Sequence, residues 1–316
     1  MAEIELDLLL KTRKYSRYAV GAAIILSFAF AQLIADSSIT WQVVVALLAL
    51  AVGIPHGALD HLVTLPKSGA TKMALFIVIY VAVAIIAVVA LLTWNVWGFI
   101  FVVVMSAVHF GIGDAAFISE IDRRSVGAKK FSKFLYASAA GTLPVVIPLV
   151  NEKSTSALEK VNPVLVNWHH GLNYDLQLWV MILTAVALLR LVQKRRESDA
   201  LDLILLYLLS VTAPPLVAFA VYFGCWHAMR HTARLTLTLP ASQAAFSEGI
   251  SRKAFIHAVL PGTPALIGTF VIAALIIAFR GDSLTDQFLW ICLVVVWALT
   301  VPHMAVTARL DRKALT

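Results

Sequence analysis

Long apolar runs dominate this sequence and constrain its fold more than any other feature. A helix needs about 20 apolar residues to cross the hydrocarbon core of a bilayer, and several runs approach or reach that length. They occupy residues 18–35, 73–92, 96–110, 134–150, 176–192, 254–279 and 288–308, with a shorter run at 41–54. Because backbone polar groups cannot be left unpaired in lipid, these runs predict transmembrane helices.

The rest of the composition agrees with a membrane protein. Of 316 residues, 60% are hydrophobic and only 14% are charged, which lies outside the range of soluble domains. We therefore expect an all-α, polytopic transmembrane bundle of about 8 to 10 membrane segments, forming a single integral-membrane domain over residues 1–316. The net charge of +7 does not indicate nucleic-acid binding, because the basic residues lie in short clusters between the apolar runs.

Those basic clusters predict the topology. They occupy residues 11–17, 67–72, 123–133, 190–196, 252–253 and 309–313. Cytoplasmic loops carry an excess of Lys and Arg, and this pattern favours a multi-pass protein of the cell membrane with both termini in the cytoplasm.

The stretch 200–240 allows two topologies, because Pro214-Pro215 interrupts an apolar run. Counted as one crossing, it leaves Arg230, Arg234 and the C-terminal cations outside, against the charge rule. Counted as a broken or re-entrant pair of segments, it keeps them all inside. We prefer the broken version, which also brings scattered histidines to one depth, namely His56, His109, His227, His231 and His303.

His227 and His231 form an HxxxH motif, whose side chains share one face of a helix and can bind one metal together. The motif alone is weak, since two core histidines with hydrogen-bonded neighbours show the same spacing. The neighbouring Arg230 and the apolar setting favour the functional interpretation, because ionisable groups within membrane segments are costly.

His56 stands in the motif Pro55-His56-Gly57-Ala58-Leu59-Asp60, which bends the end of a helix. Asp60 follows four residues later, and we expect its carboxylate to accept the second N–H of the His56 imidazole. The alternative is an ordinary helix-end turn with interfacial polar residues.

His109 repeats this theme, being followed by Gly111, Gly113 and Asp114. Two such motifs and an HxxxH pair predict a common metal site, with Asp60 and Asp114 balancing its charge from outside the ligand set.

The other histidines are weaker candidates. His61 lies five residues after His56 and points away from it on a helix, whereas His303 follows Pro302 and is expected beside the ligands. His169 and His170 lie in a polar loop, and His257 begins an apolar run. Imidazole ligands suit Fe(II), Cu or Zn, and the lack of cysteines at ligand spacing argues against a structural zinc site.

These motifs resemble those of the Brp/Blh family of bacterial and archaeal beta-carotene 15,15′-dioxygenases. The resemblance covers most of the chain. It rests on Gly53 to Asp60, Val108 to Asp114, Ala213-Pro214-Pro215-Leu216, Tyr222-Phe223 through His227 to Arg230-His231, and Leu299 to Met304. It implies a catalytic domain in which Fe(2+) is bound by His56, His109, His227 and His231.

The resemblance also implies the reaction: O2 adds across the central double bond of beta-carotene and two molecules of retinal form, which a microbial rhodopsin could receive. Such a polyene dissolves in the lipid bilayer, so its site is expected within the bundle. Aromatic residues beside the ligands could line that site, although aromatics in membrane helices are more often packing residues. The candidates are Phe110, Tyr222, Phe223 and Trp226, with Phe117 as a further one.

Two alternatives use histidine differently. A membrane di-iron desaturase or hydroxylase would call for several HxxxH and HxxHH clusters, of which this chain has one HxxxH pair. A haem-binding membrane protein would use histidines on facing helices as axial ligands.

Overall fold

The computed structural model describes residues 2–33, 40–65, 69–152, 154–280 and 284–316. The chain is 88% helical, and the described residues form no strand, so the predicted all-α fold is confirmed. The end of the first apolar run at Ala35, and Lys67 of the second basic cluster, lie outside the described residues.

In the first half of the chain, the described residues form seven α-helices and two short 3₁₀ helices. They are α1 (Ala2–Leu33), α2 (Thr40–Gly53), a 3₁₀ helix (Ile54–Leu59), α3 (Asp60–Thr64), α4 (Ala70–Thr93), α5 (Asn95–Arg124), α6 (Lys133–Val150), α7 (Ser154–Val161) and a 3₁₀ helix (Pro163–Leu165).

The described part of the second half adds eight α-helices, one π-helix and one 3₁₀ helix. They are α8 (Asn173–Gln193), α9 (Glu197–Thr212), α10 (Pro215–Val221), a π-helix (Tyr222–Ala228), α11 (Met229–Leu235), α12 (Pro240–Ser247), α13 (Ser251–His257), a 3₁₀ helix (Leu260–Gly262), α14 (Thr263–Arg280) and α15 (Leu284–Leu315).

Seven helical segments in the described part of the chain are long and apolar enough to cross a membrane. They are Trp41–Thr64, Ala70–Thr93, Asn95–Arg124, Lys133–Val150, Asn173–Gln193, Ser251–Phe279 and Phe288–Leu315. The polytopic bundle is therefore confirmed. The sequence predicted about 8 to 10 membrane segments. Two predicted regions are not among these seven helical segments, namely α1 and the broken stretch 197–235.

The predicted break at the proline pair is present. α9 ends at Thr212, and α10 begins at Pro215, where the missing proline N–H is not needed by the helix. The chain then continues through the π-helix into α11, so that a wide helical turn carries His227. Such turns are rare and often occur at functional sites.

α5 and α6 pack with almost no side chain between them. A Cβ atom on Gly111 would overlap the carbonyl oxygen of Ala137, and one on Gly141 would overlap that of Ala107. Small residues allow this close approach of membrane helices.

α4 presents an apolar face outward. Leu75, Val78, Ile86 and Val89 are all more than half exposed, and only 11% of the most apolar window of this helix is buried. A face of this kind on a membrane-spanning helix is solvated by lipid.

The two ends of the chain meet at one end of the bundle. Arg124, at the end of α5, pairs with Glu5 of α1 at 2.9 Å. The neighbouring Arg123 donates hydrogen bonds to the carbonyl oxygens of Lys313 and Ala314 at 2.8 and 3.0 Å. The start of α1 and the end of α15 therefore lie at the same end of the bundle, and the predicted cytoplasmic location of both termini stays a prediction. The largest cluster of buried apolar side chains extends from Val20 to Ala298, and the division into one domain stays a prediction.

Candidate metal centre

His56 is placed by the change from α2 to the 3₁₀ helix at Gly53. Pro55 stands at the start of that helix, and the His56 ring is buried. Nδ1 of the ring contacts the carbonyl oxygen of Gly53. Because a carbonyl only accepts hydrogen bonds, Nδ1 carries the proton and Nε2 keeps its lone pair.

Four more buried histidines converge on His56 from three directions. His109 lies on α5, His227 in the π-helix, His231 on α11 and His303 on α15. The structure thus brings together all four predicted ligands and His303. The ring centres of neighbouring pairs are 4.9 to 6.1 Å apart, as follows: His56 to His227 5.7 Å, His56 to His231 5.4 Å, His56 to His303 5.0 Å, His109 to His227 4.9 Å, His109 to His303 5.2 Å, His227 to His231 6.1 Å and His231 to His303 5.4 Å.

These rings suit a metal ion in two respects. Several buried ring nitrogens have no hydrogen-bond partner, namely Nε2 of His109, His227 and His303 and both nitrogens of His231. A buried polar atom without a partner is costly, and a metal bond removes that cost. Imidazole nitrogens bind about 2.1 Å from a metal, which places the ring centres of two ligands on one ion roughly 4.5 to 6.5 Å apart.

Among the described residues, no three His, Cys, Asp or Glu side chains stand at metal-ligand spacing. The features that suit a metal ion here are the spacing of the ring centres and the unpartnered ring nitrogens.

Asp60 does not hold His56, and that expectation was wrong. Its two carboxylate oxygens lie 2.9 Å from Nδ1 of His303, and Oδ2 also accepts a hydrogen bond from the Tyr80 hydroxyl at 2.9 Å. The prediction assumed a regular helix from His56 to Asp60, whereas the two residues belong to the 3₁₀ helix and to α3.

Asp114 is also not hydrogen-bonded to any of the five histidines. It accepts hydrogen bonds from Nε1 of Trp226 at 3.0 Å and from the Tyr222 hydroxyl at 3.2 Å, and lies 3.9 Å from Nη1 of Arg230. It therefore fixes the π-helix that carries His227 instead of contacting a ligand.

Arg230 points toward α1 and α9. Its guanidinium stacks on the Trp226 ring at 3.4 Å, lies 3.2 Å from Asp202 and donates to the Ser16 hydroxyl at 3.1 Å. The side chain is 1% exposed, so this cation anchors the HxxxH segment to the rest of the bundle.

A cavity of about 370 Å³ reaches the histidine cluster from the side of α4. Its walls come from the 3₁₀ helix Ile54–Leu59, α3, α4, the π-helix, α14 and α15, and are mainly apolar. The main lining residues are His56, Asp60, His61, Phe76, Tyr80, Phe223, Ala265, Thr269, Leu299 and His303.

The four predicted aromatic residues have different roles. Phe223 lines the cavity and meets the His56 ring edge to face at 5.6 Å. Phe110 packs on the His227 ring at 4.5 Å. Tyr222 and Trp226 are fully buried and donate hydrogen bonds to Asp114. Of the four, only Phe223 lines this cavity, and substrate binding by the other three stays a prediction.

Sequence reasoning missed Tyr80. It lies on a helix with no other polar residue in its apolar stretch, and no motif marks it; its position in the apolar run was the only available signal. His61 lines the cavity, with Nδ1 facing the Ala58 carbonyl oxygen at 3.1 Å. His169 and His170 lie in the turn before α8, and His257 lies at the end of α13, as expected for residues outside the site.

Comparison with known proteins identifies the family of this site. A family model described as beta-carotene 15,15′-dioxygenase matches residues 47–311, which include all five histidines. The chain belongs to the beta-carotene 15,15′-dioxygenase family. Membership in this family makes it an oxygenase.

A curated relative points to the same family. The beta-carotene 15,15′-dioxygenase of an uncultured marine bacterium, 66A03, is 26% identical over 267 residues, which cover 81% of this chain and 89% of the relative. No solved structure matches the chain.

Proposed function

We propose that this protein is an iron-dependent dioxygenase that cleaves the central 15,15′ double bond of beta-carotene with O2 and yields two molecules of retinal. Both oxygen atoms enter the products and both electron pairs come from the alkene, so the reaction needs no reductant. His56, His109, His227 and His231 would hold Fe(2+), which supplies the site where O2 is activated.

The unpartnered ring nitrogens support this proposal most directly. A purely structural cluster would pair buried imidazoles with carbonyls or hydroxyls, yet Nε2 of His109 and His227 has no such partner. The donor set is nitrogen only and suits Fe(2+).

The cavity supports an apolar substrate. Its volume lies within the range of small-molecule sites, and its wall is mainly Phe76, Val81, Phe223 and Leu299. α4, which forms one side, is the helix whose outer face contacts lipid. Only α4 would therefore separate a carotenoid in the bilayer from the cavity that reaches the histidines.

The first test is expression in cells that accumulate beta-carotene. We expect loss of the orange colour and formation of retinal, both abolished by His56→Ala, His109→Ala, His227→Ala or His231→Ala, since each removes a ligand. The control is His169→Ala, whose side chain lies in a loop far along the chain from the site. Carotene that stays intact in cells making iron-loaded wild-type protein would refute the substrate.

The second test blocks the cavity without touching a ligand. Ala265→Trp places a large ring in the cavity wall, and we expect retinal formation to fall at least about tenfold while the iron content is unchanged. Leu275→Trp is the matched control, because Leu275 lies on the same helix α14 and is 51% exposed. Equal activity of the two variants would exclude this cavity as the carotenoid site.

We also propose that both termini face the cytoplasm of the cell membrane. Arg123 and Arg124 bind the two ends of the chain, and basic residues favour the cytoplasmic side. A reporter that is active only in the cytoplasm should be active when fused to either terminus, and a reporter that is active only outside the cytoplasm should be inactive at both. A microbial rhodopsin as acceptor of retinal rests on the family resemblance alone.

The haem alternative is disfavoured by the geometry. Axial imidazoles of a haem are separated by the porphyrin, whereas these rings pack directly on one another at 4.9 to 6.1 Å. A Soret band in the purified protein would reverse this view, and a requirement for a reductase would favour the di-iron alternative.

A further inference from the structure

We propose that His303 is a fifth ligand of the metal, oriented for that role by Asp60 and, through Asp60, by Tyr80. The inference rests on the proposed iron centre and adds a residue to it. His303 comes from α15, 72 residues after His231 in the sequence, and no HxxxH spacing connects it to the other histidines.

The position of the ring is that of a ligand. Its centre lies 5.0 Å from the ring of His56, 5.2 Å from that of His109 and 5.4 Å from that of His231. These three separations fall within the range expected for imidazoles that share one ion, which is roughly 4.5 to 6.5 Å.

The two nitrogens of His303 have different surroundings. Nδ1 faces both oxygens of Asp60 at 2.9 Å, so its proton points to the carboxylate. Nε2 is buried and has no hydrogen-bond partner. A carboxylate on one nitrogen and a metal on the other is the usual arrangement of metal-bound histidines.

The competing interpretation is a charged imidazolium paired with Asp60. That state would bury an additional N–H at Nε2 without an acceptor, which is unfavourable. A metal bond at Nε2 removes this cost, whereas the ion pair leaves it in place.

Tyr80 completes the chain of contacts. Its hydroxyl donates to Oδ2 of Asp60 at 2.9 Å, which fixes the carboxylate plane from the cavity side. Asp60 and Tyr80 are thus positioning residues, since they act on the metal only through His303.

A fifth imidazole changes what the centre can bind. Five nitrogen ligands leave a six-coordinate ion one open position instead of two. His56 and His303 are the two histidines of the cluster that also line the cavity. The apolar walls of the cavity alone would then hold the polyene, next to the open coordination position of the ion.

The test counts imidazole ligands by X-ray absorption spectroscopy on the purified iron-loaded protein and measures iron affinity in parallel. We expect five imidazoles in the wild type and four in His303→Ala, with iron bound at least tenfold more weakly. His61→Ala is the matched control, because His61 lines the same cavity and has its Nδ1 turned to a backbone carbonyl. It should keep five ligands and the wild-type affinity.

Asp60→Asn and Tyr80→Phe test the positioning role. Both should keep five imidazoles, while the iron affinity falls roughly 10- to 100-fold in Asp60→Asn, as for other carboxylates that support a metal histidine, and less in Tyr80→Phe. An unchanged affinity in Asp60→Asn would remove the positioning role.

The outcomes separate the two proposals. A wild-type protein that binds no iron would refute the iron centre itself. A wild-type protein with four imidazoles, or a His303→Ala variant with unchanged ligands and affinity, would overturn the fifth ligand alone. If His303→Ala does not fold, the wild-type count decides the question.

Discussion

Gly113 determines how closely α5 approaches the ring of His227. A Cβ atom at this position would stand 3.0 Å from Cε1 and 3.4 Å from Nδ1 of that ring. These distances are tight enough that the ring would have to move by a few tenths of an ångström. Ligands must be held within about 0.5 Å of their productive geometry, so the absence of a side chain here contributes to the site.

We predict that Gly113→Ala keeps the fold, because alanine favours the helix more than glycine, but weakens iron binding by roughly tenfold, at the lower limit for residues that support a ligand. Iron titration of the purified variant measures this. Gly268→Ala is the control, since nothing lies within 4 Å of its added methyl group. Equal affinities would show that the His227 ring accommodates the methyl group.

Single residues were predicted well where the motif is local. His56, His109, His227 and His231 stand in motifs that the sequence displays, and the structure brings them together. The partner of Asp60 could not be predicted, because His303 lies 243 residues away and a contact across that separation leaves no trace in spacing.

At the scale of helices, the contact between α5 and α6 depends on two glycines. Because glycine has no side chain, the backbones of the two helices can touch at these positions. Gly111 faces the Ala137 carbonyl and Gly141 faces the Ala107 carbonyl, in both cases closer than a Cβ atom allows. α5 carries His109, so the packing of α5 on α6 fixes the position of one proposed ligand.

We predict that Gly111→Ala destabilises the protein by about 1 to 3 kcal/mol, the usual cost of overpacking, and lowers the thermal unfolding temperature in detergent. Gly21→Ala on α1 has open space around its Cβ and should be neutral or stabilising by up to about 1 kcal/mol. Equal unfolding temperatures for both variants would contradict the close contact.

Apolar runs predicted the long helices, and the proline pair predicted the break between α9 and α10. The π-helix at Tyr222–Ala228 was not predictable, because one extra residue in a turn changes the direction of side chains without changing their composition. Its cause is tertiary: Gly224 fits against the backbone of Ala49, and Trp226 is held by Asp114.

At the scale of the molecule, one buried carboxylate joins three parts of the bundle. Asp202 of α9 is 0% exposed and pairs with Arg13 at 2.9 Å, Arg17 at 2.6 Å and Arg230 at 3.2 Å. It thereby connects α1, α9 and the segment that carries the HxxxH pair.

We predict that Asp202→Ala destabilises the protein by about 3 to 5 kcal/mol, because it removes the buried carboxylate that three guanidinium groups share. Thermal unfolding in detergent, followed by tryptophan fluorescence, measures the change. Asp7→Ala breaks the exposed pair between Asp7 and Lys11 and should cost at most about 1 kcal/mol. A similar small loss in both variants would show that Asp202 is dispensable.

Under the proposed function, a carotenoid would reach the cavity from the side of α4, whose outer face is apolar, and this has a consequence for how the enzyme receives its substrate. A substrate that arrives sideways from the bilayer never crosses an aqueous phase. Its availability is then a two-dimensional quantity, the number of carotenoid molecules per lipid, and the volume of the cell does not enter. The turnover rate would depend on the ratio of carotenoid to lipid in the membrane. Adding carotenoid-free lipid would therefore slow the enzyme as effectively as removing carotenoid.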